Sequence, residues 1–488
     1  MKKQFKYLFF LLYGFFIYVT LFNQIGTHPI KTWDESLFAC RALYMADNFQ
    51  YMPNFNALDP VLSDHRNTKL PFTTFIQAAS FKIFGMGEKT LRVPLGIILL
   101  LCFLYIVRFS KEQFNEPAYG YILSVILLTS VGFMRDHMAR FGDHDVPFAV
   151  YILLSILFFY RYCEYDKIKD LFLFTFFSIA ALLTKNLLSL IVLPGLFVYA
   201  MYKGVFFKLL GRTSTYVAAF SLVASYAFTI VYLENAYPGF FLRMWDYELF
   251  GRFSETIEGH KGGFFFYFEL FFSHHHAPWF AFLWTIPFIF GNRKESKKSK
   301  DLAVCLLLAF LSYFLIVSMS STKTAWYYSP LYMISAMLMA MGIVNFYRIL
   351  EPSFIENRNL KRVLWAIGLC LVGYGLFTTL SKVALYPETE VKEEQYGQFM
   401  EYVEYKRPEL KEYIIVDNNF GTVPYLYAQK YNREKNFNIR LKRGGKRIEG
   451  EFVLVCLNNS LNPIKRRYHI EELEADGYCK LIKIGEEK

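Results

Sequence analysis

Residues 170–202 read DLFLFTFFSIAALLTKNLLSLIVLPGLFVYAMY, two apolar runs on either side of one lysine, Lys185. A helix needs about 17–22 apolar residues to cross roughly 30 Å of hydrocarbon, so each run reads as a span of near-minimal length. Similar runs recur along the chain. Candidate spans fall at about 5–25, 91–108, 117–134, 146–161, 170–185, 187–202, 213–233, 277–291, 301–319, 326–347 and 362–382, about eleven in all. Composition agrees, with 54% of the 488 residues apolar, 19% aromatic and only 19% charged, too greasy for a soluble fold. The reading is an all-α polytopic membrane protein. Secreted, cytosolic and collagen-like classes are excluded.

The net charge of +11 follows topology rather than nucleic acid. With the N-terminus inside, the inner connections carry Lys2, Lys3 and Lys6, then Arg108 and Lys111, then Arg161, Lys167 and Lys169, then Lys203, Lys208 and Arg212. Arg293, Lys294, Lys297, Lys298 and Lys300 follow, and finally Arg348, Arg358, Lys361 and Arg362. Every one of these short connections is basic, as the positive-inside rule requires. The apolar run after MKKQFK lacks a small-residue cleavage site and is too long for a signal-peptide core, so it reads as the first spanning helix. An odd number of spans then leaves the tail outside.

That tail changes character. KEYIIVDNNFG (411–421), EFVLVCLNN (451–459) and CKLIKIGEE (479–487) are short apolar runs bounded by Asp, Asn or Gly, with a helical pattern in VPYLYAQKYN (423–432). This suits a small extracytoplasmic α/β domain at 385–488 behind a membrane domain at 1–384. The seven cysteines have no metal spacing, and only Cys456 and Cys479 share the tail and could pair.

Two outward connections are long, 26–90 and 234–276. In the first, Glu35–Asn48 and Pro71–Phe84 repeat apolar residues at helical spacing without the length to cross, which predicts interfacial helices. Charge also gathers at the outer face: Asp34, Glu35, Arg41, Arg66, Lys69, Asp143, Asp145, Lys185, Glu248, Arg252, His260 and Lys323. An ionisable group held at helix-centre depth costs on the order of 2.5–3.5 kcal/mol, so such groups mark a shared polar cavity. Lysine and arginine there cradle a lipid phosphate, while carboxylates serve as general base or hold a divalent cation. His274–His276, at the mouth of a span, read mainly as a solvated or hydrogen-bonded cluster. Walker, GxGxxG and HExxH patterns are absent.

Six stretches then line up in order: WDESLFACRALYMAD (33–47), HRNTKLPFTTFIQAASFKIFGMGEKTLRVPLGI (65–97), RFGDHDVPFAVYILLSI (140–156), LLTKNLLSLIVLPGL (182–196), ELFGRFSETIEGHKGGFFFYF (248–268) and SSTKTAWYYSPLYMISAML (320–338). In this series the chain resembles the GT-C integral-membrane glycosyltransferases, in the branch of protein O-mannosyltransferases and bacterial lipid A aminoarabinose transferases. The resemblance implies a GT-C fold and inverting transfer of a sugar from a polyisoprenyl (undecaprenyl) phosphate to an extracytoplasmic acceptor. That acceptor is lipid A or lipopolysaccharide, another glycan, or a protein.

By the same resemblance Asp34 is the catalytic carboxylate with Glu35 beside it, and Asp145 the second acid. Lys69, Lys185 and Arg252 contact the donor phosphate, with Arg41 and Arg66 as further cations. Asp143, Glu248, His260, Lys323 and Tyr328 line the substrate cavity. Thr68 and Leu249 stand where the aminoarabinose subgroup has a metal-binding Glu and His, so no resident metal is implied and a divalent cation is the one cofactor left open. The expected place is a bacterial inner membrane, N-terminus cytoplasmic, active site and tail periplasmic. The rival reading is a flippase of polyisoprenyl-linked sugars; charges concentrated at one face, without repeat symmetry, favour the enzyme.

Overall fold

The computed structural model describes residues 2–50, 68–134, 137–273, 278–356, 358–383, 392–419, 421–443, 448 and 451–488. The chain divides into two compact units. One comprises Met1–Asn23, Thr68–Thr73 and Leu95–Leu385; the other comprises Gln24–Asn67, Thr74–Pro94 and Tyr386–Lys488.

The first unit is helical. Among the described residues seven helices are long and apolar enough to cross a membrane: Glu88–Phe114, Asp145–Tyr165, Ile168–Tyr202, Thr213–Ala236, Lys297–Met319, Ala325–Pro352 and Arg358–Ser381. This makes the protein multi-pass, and it corrects the expectation of about eleven spans. Three of the expected spans are shorter apolar helices, Lys6–Phe22, Ala118–Leu128 and Trp279–Gly291. At about 1.5 Å per residue they fall short of a 30 Å core. The expected pair at 170–185 and 187–202 is one helical stretch of 35 residues, Ile168–Tyr202. Within that stretch the first α-helix ends at Lys185, Asn186 turns the chain, and a 3-10 segment at Asn186–Val192 leads to the α-helix Leu193–Tyr202.

Burial sorts these helices by role. Asp145–Tyr165 is the central one, 94% of its apolar window lying inside the protein. Its sequence VPFAVYILLSILFFY is apolar on every face, as a helix surrounded by helices must be. Thr213–Ala236 and Arg358–Ser381 bury only 11% of theirs, turning Phe220, Phe228 and Phe377 outward. Such surfaces are stable only against hydrocarbon. Small residues set the close crossings. A Cβ on Gly195 would lie 2.3 Å from the Leu308 carbonyl oxygen in the helix Lys297–Met319.

The second unit holds a five-stranded sheet in the order β2-β1-β3-β5-β4, with β1 Glu412–Val416, β2 Asn438–Lys442, β3 Phe452–Val455, β4 Tyr468–Asp476 and β5 Cys479–Glu487. β2, β1 and β3 run parallel, and β5 pairs antiparallel with both β3 and β4. The α/β tail foreseen from its apolar runs is therefore present. Register also decides the cysteines: Val455 lies opposite Lys480, which brings Cys456 onto Cys479, and the two form a disulfide. The same unit contains the helix Asp34–Asn48 and most of Phe72–Phe84, of 15 and 13 residues, the two short helices expected in the first long connection.

Replacing Gly195 with valine forces its helix off Lys297–Met319 and is expected to cost about 1–3 kcal/mol. A fall in the thermal midpoint of the detergent-solubilised protein would measure it.

Candidate functional site

The first unit contains a cavity of about 280 Å³ with one polar end and one apolar wall. Leu70, Leu187, Leu188, Ile191, Ile316 and Val317 supply the wall; Lys69, Lys185, Glu248, Arg252 and Tyr327 stand at the polar end. The elements that carry these groups lie far apart in sequence. Lys69 lies three residues before the helix Phe72–Phe84, Lys185 ends the helix Ile168–Lys185, and Glu248 and Arg252 sit one turn apart at the junction of a π-helix and a short α-helix.

Opposite charges alternate through the site. Lys69 Nζ donates to Glu248 Oε1 at 2.6 Å, Thr68 Oγ1 donates to the same oxygen at 2.6 Å, and Arg252 Nε lies 3.4 Å from Oε2. Lys185 Nζ donates to both oxygens of Asp145 at 2.8 Å. The Tyr327 ring lies between the two groups, its centroid 5.9 Å from Lys185 Nζ and 5.9 Å from Arg252 Cζ. Burial raises the Glu248 pKa, but Lys69 and Arg252 outweigh it and hold the carboxyl well below the usual carboxylate range. Glu248 is therefore ionised at neutral pH, and among the described residues three cations stand with two carboxylates at the polar end. An anion with an apolar tail matches both ends of this cavity.

Asn186 forms part of the lining and has φ 60° and ψ −155°, a conformation that glycine adopts easily and other residues seldom. Its Oδ1 accepts from its own Leu187 N–H at 2.9 Å and from Tyr226 OH at 2.5 Å, which holds the turn that aims Lys185.

Other expected residues sit elsewhere. Lys323 is buried, and its Nζ donates to the carbonyls of Val317, Ser318 and Ser320 at 3.3, 2.6 and 2.5 Å, capping the C-terminus of Lys297–Met319. Tyr328 lies in the aromatic core against Tyr267 and Tyr332; its neighbour Tyr327 is the cavity residue. Adjacent residues of a helical turn point in different directions, so the YY pair alone does not reveal which ring faces inward. Asp143 pairs with His137 at 2.7 Å, and His260 sets its ring edge-on to Trp326 and lies 3.8 Å from Glu258.

In the second unit Asp34 is the first residue of its helix and partly exposed. Glu35 is buried and takes Arg92 through both oxygens at 2.7 and 2.8 Å. Arg41 is buried in the same helix over the Phe38 ring. Arg66 and His274–His276 fall outside the described residues. Among the described residues no group of three or more His, Cys, Asp or Glu side chains is placed to hold a metal ion.

Comparison with known proteins gives one consistent picture. The family described as dolichyl-phosphate-mannose-protein mannosyltransferase matches residues 68–236. The crystal structure of ArnT from Cupriavidus metallidurans bound to undecaprenyl phosphate superposes with a TM-score of 0.70 at 14% identity, covering 99% of this chain and 98% of that one. The chain has the GT-C fold. AglB, the archaeal oligosaccharyltransferase from Archaeoglobus fulgidus solved with an inhibitory peptide and a dolichol-phosphate, shares this GT-C fold at a TM-score of 0.55 and 12% identity, covering 97% of this chain and 73% of its own. An uncharacterized protein of Aquifex aeolicus (strain VF5) is 29% identical over 204 residues, a match spanning 40% of this chain and 36% of that relative's length.

Asn186→Gly relieves the backbone but loses the Oδ1 bonds to Leu187 N–H and Tyr226 OH, and is expected to keep the fold at a cost of no more than about 1 kcal/mol. Asn186→Val is expected to lose about 1–3 kcal/mol of stability; thermal unfolding of the two variants side by side distinguishes them.

Proposed function

We propose that this protein is a glycosyltransferase that moves a sugar from a polyisoprenyl phosphate, undecaprenyl phosphate in a bacterium, to an acceptor outside the cytoplasm. The observation that carries the reading is the amphipathic cavity, with Lys69, Lys185 and Arg252 converging at the end of an apolar wall. In this reading the isoprenoid lies along Leu187, Leu188, Ile191 and Ile316, and the phosphate displaces part of the grip of Glu248 and Asp145 on the cations. The ArnT relative bound to undecaprenyl phosphate and the AglB relative bound to a dolichol-phosphate support the donor class.

The chemistry is a single displacement at the anomeric carbon. The bond from that carbon to the phosphate oxygen breaks, the bond to the acceptor oxygen forms on the opposite face, and the acceptor loses a proton to a base. The departing phosphate gains negative charge, which Lys69, Lys185 and Arg252 stabilise at the polar end of the cavity. Asp145 is a positioning residue here, since it fixes Lys185 through two hydrogen bonds. Asp34 is proposed as the base on the strength of the acidic motif WDES, and Glu35, locked by Arg92, as part of the scaffold around it.

Orientation belongs to the same proposal. Disulfides persist in oxidising compartments, so the Cys456–Cys479 bond supports a tail outside the cytoplasm. Lipid A or lipopolysaccharide, a cell-wall glycan and a protein all remain acceptors in this reading, and the place is the bacterial inner membrane.

The test is transfer of radiolabel from polyisoprenyl-phosphate sugars to endogenous membrane acceptors. Lys69→Ala is expected to lower the rate about 100-fold or more, and Asp34→Asn to abolish transfer, with both proteins inserted normally. Labelled carrier crossing proteoliposome bilayers without transfer to any acceptor would replace the enzyme by a flippase. The three cations already supply the charge that a divalent ion would bring, so the rate is expected to survive EDTA within about two-fold.

A further inference from the structure

In the unit that contains the tail, the chain approaching Asp34 is held by its backbone. Ile30 N–H donates to Tyr427 OH at 3.2 Å, Lys31 N–H to Glu35 Oε2 at 2.8 Å, and Thr32 N–H to Glu394 Oε1 at 3.4 Å. Successive amides are thus each taken by a side-chain oxygen, and two of those oxygens come from the tail. Lys31 Nζ closes the grip on Glu394 Oε2 at 2.8 Å. Glu394 is itself buried, 3% exposed, and a carboxylate in that position is costly unless it is paired and hydrogen-bonded as this one is.

The next residue shows what the grip is for. Trp33 has φ 74° and ψ −124°, a conformation that a bulky side chain seldom holds, and Asp34 follows it as the first residue of the helix. Such a conformation persists only where the surroundings over-determine it. They do so from several sides. Ser36 Oγ donates to the Trp33 carbonyl at 2.9 Å and lies 2.7 Å from Thr422 Oγ1, while the Cys40 thiol donates to the Thr422 carbonyl at 3.8 Å. Tyr427 OH, having accepted from Ile30, donates to Glu88 Oε1 at 2.7 Å. Its ring fits because Gly397 has no Cβ; one there would lie 2.4 Å from the ring. Arg92 braces the far side, donating to Glu35 and to the carbonyls of Ile25, His28 and Pro29.

We infer that the C-terminal α/β domain is the mould that sets the Asp34 turn, with Glu394 and Tyr427 as positioning residues for sugar transfer. This rests on the proposal that Asp34 is the base. A base must stand within hydrogen-bond reach of the proton it takes, and a misplacement of about 1 Å can cost on the order of 100-fold in rate. The grip acts on the backbone on the N-terminal side of Asp34, so its loss reduces turnover without touching the cations of the cavity.

The experiment uses the full-length protein in lipid nanodiscs, with three readouts: affinity for undecaprenyl phosphate as the probe, kcat and KM for the labelled donor that the intact protein uses, and amide hydrogen exchange at residues 30–36. For Tyr427→Phe and Glu394→Ala the expected result is faster exchange at those amides and a kcat lower by about 10- to 100-fold, with donor KM and probe affinity within about two-fold. Glu394→Gln keeps an acceptor for Thr32 N–H and is expected to recover part of the rate; it also serves if Tyr427→Phe folds poorly. Combining Glu394→Ala with Asp34→Asn is expected to lower transfer no further than Asp34→Asn alone. Arg433→Ala removes only the exposed pair with Asp47 between the helices Thr422–Glu434 and Asp34–Asn48, and is expected to leave the rate unchanged. Normal kcat in both Tyr427→Phe and Glu394→Ala, with Asp34→Asn inactive, overturns the mould and leaves the base in place. Normal transfer by Asp34→Asn overturns the base and, with it, the positioning role.

Discussion

The cavity depends on carboxylates buried beside the cations they hold. Lys69, Lys185 and Arg252 sit in a unit built largely of phenylalanine, leucine and isoleucine, where an unpaired charge would be expelled or neutralised. Glu248 pairs with Lys69 and Arg252, and Asp145 with Lys185, which holds all three side chains in place. Among the described residues three cations face two carboxylates at the end of an apolar groove. Asp145 also opens the most deeply buried helix of the unit, so the ion pair that aims Lys185 is anchored at the centre of the helical core.

The second unit applies the same rule to a different end. Arg92 and Glu35 form a buried pair, and Glu394 meets Lys31 and the Thr32 amide. Here buried charge fixes backbone. The strained Trp33 turn is the product of that fixation, and it places one partly exposed carboxylate, Asp34, at the start of a helix.

Much of the architecture was legible because membrane and sheet constraints act locally. Apolar runs, basic inner connections and three short strands bounded by turn residues depend only on neighbours a few residues apart, and they identified a polytopic helical protein with an α/β tail. Counting spans failed where a local rule met a tertiary one. Lys185 divides the run at 170–202 in the sequence and ends an α-helix in the structure, yet helical structure resumes at once as the 3-10 segment Asn186–Val192, so the two runs form one helical stretch with a turn at Asn186. The runs at 117–134 and 277–291 contain too few helical residues to cross, since turns interrupt them.

The sequence by itself determined the solvent the chain lives in, the chemistry of its charged outer connections and the family it resembles, since each follows from residue type and order. Tertiary structure alone decided which of those charges share a cavity. Lys69, Lys185 and Arg252 meet there; Lys323 is spent on helix carbonyls, Tyr328 on the aromatic core and Glu35 on Arg92. It also decided that Tyr327 rather than its neighbour lines the site, and that Glu394 and Tyr427 hold the turn before Asp34. The physical reason is common to all of these. A buried polar group is defined by the partner it finds, and apart from Lys323, which caps its own preceding helix, most of those partners lie tens to hundreds of residues away, beyond the reach of any local pattern.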